Sequence, residues 1–101
     1  MTERYTGKPF LRLLELYVLD AIGQLSDKDE ETLIKMTPNL QATYKSQGSW
    51  KEIIRKVMDL PENMPSLIID MWNKNQKIAK DNGQVLEGEQ FAMMFVDQNL
   101  T

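Results

Sequence analysis

The amino-acid sequence predicts an all-α protein, a compact single-domain bundle of five or six short helices packed mostly antiparallel. Three observations predict it. Apolar residues recur at spacings of three and four rather than two. Proline, glycine and capping residues cut the chain into pieces of helical length. No tight hairpin dipeptide joins two β-rich runs. With 101 residues, 42% hydrophobic and 27% charged, the chain has material for one domain and one core.

The first helix is expected to begin near Lys8-Pro9, with proline in the first turn, and to end near Gly23-Gln24. Residues 1–7 are then a frayed N-terminal segment. Ser26 is an N-cap for the second helix, and Asp27, Asp29, Glu30 and Glu31 suit the positive end of its dipole. Thr37-Pro38 is expected to break that helix, with a short one restarting over residues 38–45, because proline disfavours helical geometry before it. Gly48 stops this piece, and Ser49-Trp50-Lys51-Glu52 matches the S-x-x-E capping box. The helix after it places Trp50, Ile53, Ile54, Val57 and Met58 on one face and its charges on the other. A loop over residues 60–65 leads to Pro65, which opens a long helix to about Asp81. Asn82-Gly83 closes that helix in a left-handed turn. The last helix is expected from about Gly88 to Gln98.

Composition removes several chemistries. The chain has no cysteine, hence no disulfide, thiol nucleophile or cysteine zinc site. It has no histidine, the commonest general base and transition-metal ligand. The net charge is -3, so a global attraction to nucleic acid or anionic membrane is not expected. The apolar run from Phe10 to Leu25 is interrupted by Arg12, Glu15 and Asp20, and falls short of the roughly 20 residues of a membrane span. No apolar signal core follows Met1, and a cytoplasmic location is expected.

Two helices carry more apolar surface than one face needs. On the first, Phe10, Leu11, Leu14, Tyr17, Val18, Ala21, Ile22 and Leu25 form one stripe, with Leu13, Leu16 and Leu19 on the opposite half. Either this helix is central and covered on both sides, or Leu13, Leu16 and Leu19 form an exposed patch for a partner or a second copy. On the last helix Phe91, Met94 and Phe95 make one face, and Met93, Val96 and Leu100 another. Seven methionines suit either adaptable surfaces or irregular cores.

Residues 81–91, from Asp81-Asn82-Gly83 through Val85 to Glu89, resemble the second half of an EF-hand. With Gly83 at loop position six, Val85 falls at eight and Glu89 at twelve. Positions one and three are Ile78 and Lys80, which supply no oxygen ligand. Pro65-Ser66-Leu67 is similar to the carrier-serine motif of acyl carrier proteins, with proline where that family has aspartate; Ser66 also reads as an ordinary first-turn residue. Lys74, Lys77 and Lys80 recur every three residues. With Lys51 and Arg55 of the preceding helix they form a basic patch if the two faces adjoin. Asp70 and Asp97 stand beside apolar stripes, and Asn75 falls on one, as a candidate buried polar residue. No nucleophile, base and orienting group come together in the pattern.

The expected function is a non-catalytic protein–protein interaction or regulatory module, with Leu13, Leu16, Leu19, Met93 and Val96 as candidate contacts and no catalytic residue, metal or cofactor. Its partner is another protein or a second copy. The alternative is a small-ligand or metal-binding protein built on the EF-hand-like helix-loop-helix near Gly83.

Overall fold

The computed structural model describes residues 8–100, which form five α-helices and a closing π-helical turn, with no strand among them. The expected fraying of residues 1–7 lies outside the described residues. Helix α1 spans Lys8–Ala21, α2 Asp27–Tyr44, α3 Trp50–Val57, α4 Met64–Asp81 and α5 Gly88–Phe95; the π-helical turn is Val96–Leu100.

Helix α1 is the axis. It packs against α3, α4, α5 and the C-terminal turn, while α2 packs on α3 at the side. Between residues 13 and 19 every side chain except Glu15 is buried. Leu13, Leu16 and Leu19, read as a candidate outer patch, therefore belong to the core. The correction has a simple cause. A helix covered by four neighbours buries most of its circumference, leaving a narrow strip at Arg12 and Glu15 to solvent. Asp20 near its end meets Lys51 of α3 at 3.2 Å, while Arg12 and Glu15 reach the surface along its length.

The break expected at Thr37-Pro38 does not occur. Helix α2 runs unbroken through Pro38. Proline removes one backbone donor, but Pro38 and Ile34, whose carbonyl loses its partner, are both exposed, so water can take the place of the missing bond. Buried Leu33 and Leu40, seven residues apart, hold both halves of the helix on the same side. Ser26 caps α2 as expected, its Oγ accepting from the Asp29 amide at 3.1 Å. Ser49 caps α3 in the same way, at 3.3 Å from the Glu52 amide.

The last helix is divided differently from its pattern. Phe91, Ala92, Phe95 and Val96 are buried together, whereas Met93 is exposed. Val96 aligns with Ala92 one turn before it, not with Met93. The face drawn through Met93 and Val96 is thus split, and Val96 is core. Phe91 sits against Trp72 of α4, with ring centroids 5.2 Å apart and planes tilted by 58°.

Four helices end in left-handed residues. Gly23 (φ 73°) and Gly83 (φ 72°) take this geometry without steric cost. Lys45 (φ 52°) and Asp59 (φ 54°) take it with a Cβ in place. The backbone bonds Ser46 N to Gln41 O (3.0 Å) and Leu60 N to Arg55 O (2.9 Å) hold these two turns. A different constraint acts at Gly88, which opens α5 against the end of α1. A Cβ there would lie 3.1 Å from the Gln24 side chain and 3.3 Å from Leu19.

Two outcomes are expected. Leu16→Asp places an unpaired charge in the core, costing several kcal/mol out of a total of about 5–15; circular dichroism is expected to show loss of the cooperative thermal transition. Lys45→Gly relieves a strained turn and is expected to stabilise by about 0.5–1 kcal/mol. Thermal melting is then expected to shift up by several degrees; an unchanged or lower midpoint contradicts the strain.

Candidate functional site

The outer half of α4 leaves the core. Ile68 and Trp72 are its buried residues, and beyond them the helix offers mostly exposed side chains. Its end is closed by a Schellman turn. The Gly83 amide donates to Lys80 O at 3.0 Å and the Gln84 amide to Ala79 O at 2.8 Å, while Asn82 Nδ2 covers Ile78 O at 2.9 Å. Residues 84–87 then return to the core through Leu86. Glu87 and Gln90 form a reciprocal capping box that starts α5. The loop is pinned at both ends, and Val85 between them is 86% exposed.

Beneath Val85 lies a cleft of about 510 Å³ lined by Gln76, Lys77, Lys80, Gln84, Val85 and Leu86. Its lining holds two cations and no anion. Ile78, 59% exposed, stands on the same stretch of helix.

The other two cations of the expected basic patch lie elsewhere. Lys51 and Arg55 line a cleft of about 280 Å³ between α1, α3 and the start of α4, together with Tyr17, Asp20, Glu62 and Pro65. Pro65 and Lys77 are twelve residues apart, about 18 Å along α4, so the patch is split in two. Around Lys51 and Arg55 the acids Asp20, Glu52 and Glu62 outnumber the bases. Burial pushes the Tyr17 phenol above its ordinary value, with Arg55 opposing the rise and Asp20 adding to it. Lys74 is exposed on α4, on neither cleft.

Within the EF-hand-like segment, Glu89 is engaged by a residue of α1. Its two carboxylate oxygens accept from the Arg12 guanidinium at 2.9 and 3.0 Å, tying α5 to α1. Arg12 also reaches Glu15 at 2.9 Å and Asp29 of α2 at 3.9 Å. The carboxylate at loop position twelve is thus held by a cation of the same chain. Among the described residues no group of three acidic side chains is placed to hold a metal. Ser66 is exposed in the first turn of α4, and Asp70 and Asp97 are exposed on separate elements. Asn75 is half-buried, its Nδ2 donating to Met71 O at 2.7 Å within its own helix. It therefore adds no polar group to the core, where no buried polar residue is found among those described.

Of the candidate contacts, Met93 is exposed, while Leu13, Leu16, Leu19 and Val96 are internal. Sequence reasoning placed Ile78 and Val85 only in the EF-hand-like alignment and not among the candidate contacts. Val85 carried a readable signal, since a branched apolar residue between two helix-capping signals belongs to no buried face.

Comparison with known proteins finds no family model that matches the chain, no similar curated protein and no similar solved structure.

The Arg12–Glu89 pair has a pH signature. The hydrogen bond from Arg12 holds the Glu89 carboxyl below its ordinary value. Its contribution is therefore complete above the ordinary carboxylate range and is lost as pH falls through the lowered folded value. Side chains 43% and 52% exposed limit the pair to about 1 kcal/mol or less. Glu89→Gln is expected to melt below the unchanged protein at neutral pH, with the difference closing in acid. A constant difference across that range would assign the loss to packing instead.

Proposed function

We propose that this chain is a non-catalytic protein-interaction module whose docking face is the outer end of α4 with the loop at residues 84–86. The observation that carries this reading is Val85, held 86% exposed above a cleft whose charged lining is wholly basic. An interface core of this kind combines an apolar centre with a charged rim. Here Val85 and Leu86 supply the centre, and Lys77 and Lys80 the rim. The partner that fits is an acidic segment presenting an apolar side chain to the cleft.

The energetics support such a role. Burying Val85 fully on docking contributes roughly 1.5–3 kcal/mol. The two lysines add selectivity and speed of encounter more than affinity. The Schellman turn and capping box hold the loop before any partner arrives, which lowers the ordering cost of binding. No described helix is long and apolar enough to cross a membrane. A cytoplasmic location suits a chain without cysteine, and a net charge of -3 favours a protein over a nucleic-acid partner.

The test compares tagged wild-type protein with Val85→Asp and Lys80→Glu variants as baits in native lysate, with bound proteins quantified by mass spectrometry. Both positions are exposed, so helicity is expected to be unchanged. A partner retained by wild type and depleted at least tenfold on both variants supports the reading. Equal recovery on all three baits, or no specific protein on wild type, overturns it.

A further inference from the structure

The side of α4 away from the cleft bears a second pattern. Leu67, Met71, Lys74 and Ile78 follow one another at spacings of four, three and four, the interval of a coiled-coil seam. Leu67 and Ile78 are 41% and 59% exposed, and Met71 is half-buried at the edge of the core. Asp70 and Lys77 fall together on one flank of this stripe, at about 100° per residue. All three charged residues, Asp70, Lys74 and Lys77, are exposed, and none forms an ion pair within 4.0 Å among the described residues.

We propose that this stripe is the interface of a homodimer in which α4 pairs antiparallel with α4 of a second copy. The pattern is complementary to itself. A two-fold axis beside the middle of the stripe sets Leu67 opposite Ile78 of the second copy, and Met71 opposite the aliphatic stem of its Lys74. That same axis keeps each flank facing its own equivalent. Asp70 therefore faces Lys77 and Lys74 of the second copy, and the exchange is repeated in reverse. A parallel pairing would instead turn this flank toward the opposite flank of the second copy, which carries Asn75 and Asn82 and no charge, leaving Asp70 and Lys77 without an opposite charge. Charge thus selects both the occupant and its direction. This interface goes beyond the cleft under Val85; Lys77 borders both, but Leu67 and Ile78 are outside the cleft lining, so the two can be disabled separately.

The experiment uses the full chain, whose lack of cysteine allows unambiguous cross-linking. Mass is measured by sedimentation from micromolar to millimolar concentration, for wild type and for Ile78→Asp. Leu67→Cys, Ile78→Cys and the double variant are oxidised mildly in parallel. Within one chain positions 67 and 78 lie about 16 Å apart along the helix, too far for an internal disulfide. The expected result is a mass rising with concentration toward twice 11.7 kDa, abolished by Ile78→Asp. Covalent dimer is expected from the double variant at least tenfold faster than from either single one. A monomer at every concentration overturns the proposal. So does a dimer indifferent to Ile78→Asp, or single-cysteine variants that cross-link as fast as the double. Partner capture by the Val85 cleft is unaffected by any of these outcomes.

Discussion

The enclosure of α1 by its neighbours is the constraint on which the remaining structure rests. An isolated helix of 14 residues is marginal in water, so α1 is stable only through what it buries. Six of the seven side chains from Leu13 to Leu19 are internal, each contributing on the order of 1.5–3 kcal/mol for a large aliphatic group. That requirement sets where α3, α4, α5 and the C-terminal turn must lie. It also explains why the polar residues of α1 are placed where they are. Arg12 emerges beside α5 and α2, and Asp20 beside α3, each meeting an opposite charge on the helix it borders.

A core organised round one helix leaves its outer members partly without work. Helices α2 and α4 have 18 residues each, about 27 Å, yet each buries only two side chains fully. The molecule is accordingly drawn out to 46 × 29 × 24 Å. Its radius of gyration is 14.1 Å, against about 13 Å for a spherical domain of this length. The projecting end of α4 exposes Ile78 to water, and the carbonyls of Ile78, Ala79 and Lys80 are hydrogen-bonded at its close. A hydrogen-bonded helix end that carries exposed apolar side chains is what the docking role proposed for it rests on.

The two faces proposed for α4 use one helix in two ways. The cleft under Val85 has a charged lining that is wholly basic and asks for an acidic complement. The opposite stripe carries an acid before its middle and bases after it, and asks for an antiparallel copy of itself. Lys77 borders both, which couples the charge of one surface to the other without merging them. The Arg12 cluster, by contrast, is paired within the chain: its guanidinium meets the carboxylates of Glu15 and Glu89.

Much of the fold was determined locally. Ser26, Ser49, Pro65 and Gly83 act within four or five residues of themselves, so the ends they set could be read from neighbours in the chain. Gly23 was readable for the same reason, whereas the left-handed turns at Lys45 and Asp59 were not, since neither residue type announces that geometry. Pro38 shows the limit of local reasoning from the other side. Its propensity to break a helix was overruled by the burial of Leu33 and Leu40 on either side of it, a packing invisible in the chain. The same limit governs the site. The apolar excess of α1 was plain in the sequence, but only the number of helices packed around it decided that Leu13, Leu16 and Leu19 lie inside. Which residues remained for the surface, Ile78 and Val85 among them, followed from that choice, because exposure depends on what lies opposite a side chain in space and not beside it in the chain.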